Sequence, residues 1–319
     1  MLRFLCLLVL LAAPLPAQQS TRVQPGPWPR EFKARPVKLK ISDDTPDGSR
    51  VVTTRHFRMI AETRIARQDL ARFAKVIESV PQLIQAHPLP LWAPHGKDVI
   101  DIILCKDEAG FVRAGGDEDA VGWWDGRRGH VLIRADYFLA PPQAGNSRLQ
   151  PRPDQGLLVH ELVHMCMAKI LWRLPPWFTE GVAEYFSVCH QGDGWYLFRD
   201  LDSLIRDHLR HAISRNKVGE TFHLVPVAEI LKLDHAGWLK TSQNQFDGNA
   251  YLPYATALLL VHYHFHGGAD RRAITKVHLT SLPRRSTATP AFPTEPAKLI
   301  EERLVKYWSS RGLQLAFGE

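Results

Sequence analysis

The segment that decides the fold spans residues 157–188 and reads LLVHELVHMCMAKILWRLPPWFTEGVAEYFSV. Two long and largely apolar stretches lie on either side of the Pro-Pro pair at 175–176. Proline fixes φ and lacks an N–H, so such a pair ends one helix and suits the first turn of the next. We therefore predict a helix from Asp154, its N-cap, to about Trp172, and an antiparallel return helix over Trp177–Val188.

The first of these helices carries the sequence HELVH at residues 160–164. His160 and His164 share one helix face, where both imidazoles can bind one Zn²⁺ at about 2.0–2.1 Å. Glu161 lies about 100° around the helix and can take a proton from water there. The alternative is a polar stripe on a surface helix. The surrounding residues are apolar nearly all round, however, which favours burial, and buried polar groups without partners cost roughly several kcal/mol.

A catalytic zinc usually has three protein ligands, so a third ligand is expected close to the two histidines. Glu180 is the candidate, because 15 residues separate it from His164, enough for a helix end, a turn and an antiparallel return. Gly181 beside it permits a close approach of two backbones. Glu184 lies one turn further along and can accept the second ring N–H of His160. The alternative for Glu184 is an exposed helix charge.

HELVH followed by WFTEGVAEY resembles the gluzincins, the peptidase MA-like zinc metallopeptidases, and looks closest to short secreted bacterial members of unassigned function. The resemblance covers roughly residues 51–270. It implies one Zn²⁺ per chain, held by His160, His164 and Glu180. It also implies that Glu161 is the general base and that Glu184 supports a ligand imidazole.

The same resemblance suggests Tyr254 as the hydrogen-bond donor to the developing oxyanion, with Tyr251 as the second choice. The alternative is that both are half-buried core tyrosines. The aminopeptidase relatives carry Gly-Ala-Met-Glu-Asn upstream, where this chain has GWWDGRRGHV. This departure from the aminopeptidase motif favours an endopeptidase over an aminopeptidase. A catalytically silent binding protein and a zinc hydrolase of a non-peptide amide, such as cell-wall material, stay open as alternatives.

The expected fold is α+β and gluzincin-like, with a small N-terminal α/β sheet unit at 51–150 and a mainly helical half at 154–270. A C-terminal helical extension follows at 271–319. Hydrophobic periodicity predicts strands at Val51–Ala61, Asp98–Cys105 and His130–Asp136, and helices at Arg67–Gln85, Leu201–Ser214, Tyr251–His266 and Pro296–Ser310. Turns are expected near Gly115 and Asp125, and the strand at His130–Asp136 could bind an extended peptide along its edge.

The N-terminus has the layout of a secretory signal at residues 1–17, with Arg3, an apolar stretch and a small residue, Ala17, for cleavage. We expect a secreted or periplasmic protein with no stable membrane span after cleavage, and an extended lead-in at 18–50. Its substrate is expected to be a peptide or protein. The net charge of +7 comes from basic residues spread along the chain, which does not favour nucleic-acid binding.

Three cysteines remain after signal cleavage, and Cys166 and Cys189 are expected to lie toward opposite ends of the helix pair, hence unpaired. HYHFH at residues 262–266 places His262 and His266 on one helix face, but no carboxylate is suitably spaced for a second metal site. His208 and His211 are weaker candidates still.

Overall fold

The computed structural model describes residues 28–42, 50–62, 65–94, 99–118, 120–125, 128–138, 155–213, 221–243, 249–282 and 291–318. Within these residues the fold is a mixed α+β one, as predicted. The strands are β1 (Glu31–Lys33), β2 (Lys40–Ser42), β3 (Arg50–Thr53), β4 (Phe57–Ala61), β5 (Ile100–Cys105), β6 (Gly122–Asp125), β7 (His130–Arg134), β8 (Trp195–Leu197), β9 (Thr221–Leu224) and β10 (Gln314–Phe317). The helices are α1 (Arg67–Ala86), α2 (Glu108–Ala114), α3 (Ala135–Phe138), α4 (Gln155–Cys166), α5 (Ala168–Leu171), α6 (Pro176–Cys189), α7 (Leu201–Ala212), α8 (Val227–Ile230), α9 (His235–Gln243), α10 (Leu252–His266), α11 (Ala269–Ser281) and α12 (Ala297–Ser309). The predicted signal segment and Asp154 lie outside the described residues.

One six-stranded sheet has the order β2-β3-β4-β5-β7-β6. Strand β5 lies inside it and runs parallel to β4 and β7, while the outer pairs are antiparallel. Its sequence IDIILC is rich in β-branched residues, as is typical of a strand covered on both faces. Ile102 and Leu104 belong to the main core with residues of α1 and α4, whereas Cys105 contacts Phe111 of α2 in a second, small core.

The prediction of a single strand over Val51–Ala61 is wrong, because β3 and β4 form a hairpin. The backbone N–H of Thr54 donates to the carbonyl of Phe57 at 2.8 Å, and the N–H of Phe57 donates to the Thr54 hydroxyl at 3.1 Å. The polar run Thr-Thr-Arg-His therefore forms a turn whose backbone groups are satisfied locally.

The strand predicted at His130–Asp136 is confirmed as β7, but it lies inside the sheet. Residues Gly122–Asp125, where we predicted the approach to a turn, form the additional strand β6 and pair antiparallel with β7. The expectation that β7 offers a free edge to a peptide is therefore wrong. That position belongs to β6.

The single helix predicted to run to about Trp172 is interrupted after Cys166. The N–H of Ala93 donates to the Cys166 carbonyl at 2.8 Å, and the N–H of Lys169 donates to the Ala93 carbonyl at 2.8 Å. A neighbouring segment thus takes over backbone groups that a continuous helix would use itself. Helix α6 then begins at Pro176, in agreement with the predicted Pro-Pro break.

The helical half packs around α6, which lies between α4 and α10. Helices α1, α7, α10 and α12 agree with their predicted positions to within two residues at each end. Ile300, Leu304 and Trp308 of α12 join the main core, and β10 pairs with β9. Two short strands also occur in the predicted lead-in, where β1 pairs with β8 and β2 with β3.

The three cysteines of the described residues are free and buried, so Cys166 and Cys189 are unpaired as predicted. In the same part of the chain, no helix combines the length and apolarity needed to cross a membrane.

Candidate metal centre

The two helices on either side of the Pro-Pro turn bring three predicted ligands together. His164, late in α4, faces Glu180, early in α6, while His160 contacts both Glu180 and Glu184. This pattern is that of an antiparallel helix pair, as the sequence predicts. His160 and His164 are 6% and 8% exposed, so their ring nitrogens have little access to water.

The distances among the three side chains fit a tetrahedral metal site. His160 Nε2 lies 3.1 Å from His164 Nε2 and 3.2 Å from Glu180 Oε2, and His164 Nε2 lies 3.4 Å from Glu180 Oε2. Ligands at about 2.0–2.1 Å from a tetrahedral zinc would be separated by roughly 3.3 Å. Among the described residues, this is the group of metal-binding side chains that lie close enough to one another to hold one metal ion. These three residues could therefore bind one metal ion.

Glu161 lies beside this group, between α4 and the edge of the sheet. Helix α4 packs on strand β6, and a Cβ at Gly122 would lie 3.4 Å from the Glu161 Cγ. Burial raises the pKa of Glu161, and the charges of Glu180 and Glu184 add to this effect while the two histidines oppose it. Glu161 thus stands next to the metal group without being one of its three ligands.

Glu184 contacts the His160 ring at Nδ1, on the side away from Nε2, which faces Glu180 and His164. Its Oε1 lies 2.9 Å from His160 Nδ1, an ion-pair distance, although the geometry is not ideally aligned for a hydrogen bond. Its Oε2 accepts a hydrogen bond from the Tyr251 hydroxyl at 2.7 Å. Glu184 is 8% exposed, which excludes the alternative of an exposed helix charge.

The electrostatics of the cluster follow from buried carboxylates beside imidazoles. Burial alone would raise the pKa values of Glu180 and Glu184, but the neighbouring histidines lower both well below the usual range. Burial likewise opposes protonation of His160, and the two carboxylates outweigh it and raise the pKa of that ring. Both glutamates are therefore anionic at neutral pH, as ligands and supporting groups must be.

The two candidate tyrosines occupy different positions. The Tyr254 ring lies 6.3 Å from the His160 ring and stacks on the Tyr251 ring at 6.1 Å. The Tyr251 hydroxyl is engaged by Glu184 and by His208. Tyr251 therefore contacts the site through Glu184, and the Tyr254 ring lies close to His160.

The histidines of HYHFH have separate partners. His262 Nε2 lies 3.1 Å from Asp202 Oδ1, and His266 Nε2 is 2.9 Å from the Tyr185 hydroxyl. His264 is fully buried among aromatic rings. His211 is exposed, whereas His208 lies next to Glu184 through Tyr251, a placement that no spacing in the sequence indicated.

No protein-family model matches the chain, and no curated protein sequence matches it. The assignment of the centre therefore depends on its own residues: a His-His-Glu ligand group, a glutamate beside it and a carboxylate behind one imidazole.

Proposed function

We propose that this chain is an exported zinc-dependent peptidase with a gluzincin-like fold, and that it acts as an endopeptidase. The observation that carries the proposal is the convergence of His160, His164 and Glu180 at mutual distances of 3.1–3.4 Å, with Glu161 alongside. Two imidazoles and a carboxylate are a common ligand set of catalytic zinc sites in hydrolases, and this set leaves one position for water or substrate.

The donor set favours zinc over the hard cations. Calcium and magnesium prefer six or more oxygen ligands, whereas this group supplies two nitrogens and one carboxylate. A zinc ion bound here would supply a Lewis acid that polarises a carbonyl oxygen and lowers the pKa of its water toward about 7.

The protein's own residues then have distinct tasks. Glu161 accepts a proton from the attacking water and returns it to the leaving amine. Tyr254 donates a hydrogen bond to the carbonyl oxygen as negative charge develops on it. Glu184 lies against His160 Nδ1, which leaves Nε2 as the ring nitrogen directed toward the ligand position.

Strand β6 is the element that would hold the substrate. It ends the six-stranded order, and its outer edge has no strand partner among the described residues. Because α4 packs on β6 and Gly122 lies next to Glu161, an extended peptide added to this edge would pass the metal group. Such binding reads the backbone of a substrate along its length, which suits cleavage inside a chain.

The test uses purified full-length protein and two variants. The parent should contain about one zinc per chain, His160→Ala should lose it, and Glu161→Gln should keep it. Glu161→Gln should lower hydrolysis by about 10²–10⁴-fold, the usual contribution of a general base. A peptide library with blocked termini separates the two modes, since only an endopeptidase cleaves it.

Two results would overturn the proposal. One is a folded parent that binds no zinc, and the other is Glu161→Gln protein that cleaves the library as fast as the parent. Cleavage of cell-wall amides by a zinc-loaded parent that leaves every peptide intact would keep the metal site and replace the substrate class.

A further inference from the structure

A chain of polar contacts continues outward from Glu184 to His208. The Tyr251 hydroxyl donates to Glu184 Oε2 at 2.7 Å, and His208 Nε2 contacts the same hydroxyl. His208 Nε2 also lies 3.5 Å from Glu184 Oε2. The three residues come from α7, α6 and the start of α10, so the contacts join separate helices to the imidazole of α4.

Counting protons gives this chain of contacts a direction. The Tyr251 hydroxyl has a single proton, and it donates that proton to Glu184 Oε2. The Tyr251 oxygen must then accept from His208, which makes His208 Nε2 the protonated nitrogen. Every donor along the path from His208 to Glu184 therefore points toward the metal group.

The position of Tyr251 is fixed independently of the metal. Its backbone N–H donates to Asn249 Oδ1 at 2.9 Å, and its ring stacks on Tyr254 with an interplanar angle of 13°. Helix α7 is also held at its other end, where Asp202 contacts His262 of α10 at 3.1 Å. Both outer members of the path thus belong to elements that are held in place by other contacts.

We propose that Tyr251 and His208 are positioning residues for the metal centre: they hold the Glu184 carboxylate at the position where its Oε1 lies 2.9 Å from His160 Nδ1. Without the Tyr251 hydroxyl, Glu184 can rotate, and the imidazole loses its fixed tautomer and orientation. Outer partners of metal-binding histidines commonly contribute 10–100-fold to metal affinity. The inference rests on the proposed metal site but not on the identity of the substrate.

The experiment measures zinc affinity of the full-length chain by competition with a chromogenic chelator. Tyr251→Phe keeps the ring and removes only the hydroxyl, and His208→Leu removes the outer donor. Both should weaken zinc binding by about 10–100-fold. His208→Gln, whose amide nitrogen can replace Nε2 as a donor, should restore most of the affinity.

Tyr307→Phe is the matched control. The Tyr307 hydroxyl donates at 2.9 Å to Asp202, which lies on α7, the helix that also carries His208. Asp202 contacts His262 as well, so these residues form a second network of a carboxylate and a histidine. Its removal should leave zinc affinity within about twofold of the parent, since that network does not touch a ligand.

Three outcomes would overturn the inference. The first is parental affinity in both Tyr251→Phe and His208→Leu, and the second is an equal loss in Tyr307→Phe, which would indicate general loosening of α7. The third is a failure of His208→Gln to restore binding. All three leave the zinc site intact, whereas a parent that binds no zinc overturns the proposed function as well.

Discussion

His160 Nε2 and Glu180 Oε2 lie 3.2 Å apart, although a helix break, a Pro-Pro turn and the change to a second helix separate them in the chain. The two helices must therefore be in register for the ligand group to exist. Residues that are not ligands also set the two positions, since Glu184 contacts the other side of the His160 ring, and Gly181, next to Glu180 in α6, lets that helix approach α10 closely.

Zinc should stabilise the fold, because the ligand group requires α4 and α6 to be in register. At a free zinc concentration about 100 times the dissociation constant, linkage predicts a gain of about 2.7 kcal/mol in the free energy of unfolding. Thermal melting with zinc, and then with a chelator, measures this gain. Glu180→Gln should lose most of it, and calcium should not produce it. A melting temperature that is the same in zinc and in chelator would contradict the ligand assignment.

Gly181→Ala should destabilise the protein and weaken zinc binding. A Cβ at this position would lie 2.3 Å from the Ala257 carbonyl oxygen, and the backbone of α10 cannot yield as a flexible side chain would. Overpacking of this kind costs about 1–3 kcal/mol, and moving α6 also displaces Glu180. Urea denaturation and zinc competition measure the two effects.

Gly318→Ala is the comparison for that variant, since a Cβ there meets nothing within 4 Å. Gly318→Ala should change neither the stability nor the zinc affinity. Equal stability of Gly181→Ala and the parent would mean that α6 and α10 tolerate a wider spacing.

The sequence predicts the elements whose periodicity is set by burial. Helices α1, α6 and α10 agree because their apolar residues recur at helical spacing or fill the helix completely. The ligand group was predictable for a chemical reason, since HELVH can bind one ion only if both histidines share a helix face. Glu180 then followed from the turn and from the length of the return.

The features that the sequence did not predict depend on tertiary partners. Helix α4 ends at Cys166 because the Ala93 backbone forms hydrogen bonds on both sides of the break, to Cys166 and to Lys169. No residue type at the break indicates this in the sequence. Strand β6 consists of Gly-Trp-Trp-Asp, which has turn residues at both ends, and only pairing with β7 makes it a strand. His208 reaches the site from another helix, so no spacing relates it to Glu184.

Glu78→Gln should destabilise the sheet-helix junction in a pH-dependent manner. Burial alone would raise the pKa of Glu78, but hydrogen bonds from His56 and Thr54 outweigh it and lower the pKa below its usual value of 4.5. Because the folded pKa is below the unfolded one, the stabilisation is present above about pH 4.5 and is lost as the pH falls. Weakening these buried hydrogen bonds should cost about 1–3 kcal/mol at pH 7.

Urea denaturation at pH 7 and at pH 3.5 tests this expectation. The deficit of Glu78→Gln relative to the parent should be smaller at pH 3.5, while the exposed Glu302→Gln should match the parent at both values. A deficit that stays constant with pH would show that the His56 contact at 2.7 Å contributes through shape and not through charge.

His264→Phe should stabilise the protein, and more so in acid. The His264 ring is fully buried against Trp177 and Phe292, and burial, with the Arg271 charge, lowers its pKa from 6.5 to about 3, while Glu295 opposes the shift. Between pH 6.5 and 3 the unfolded chain therefore binds a proton on His264 that the folded chain does not. Over this range the free energy of unfolding decreases by about 1.4 kcal/mol for each unit by which the pH is lowered. Phenylalanine removes that penalty, so the stability advantage of the variant over the parent should grow by roughly 2 kcal/mol between pH 7.5 and pH 5.

Urea denaturation at the two pH values measures this advantage, with the exposed His211→Gln as the control. An advantage equal at both values would mean that the folded protein accepts the proton on His264.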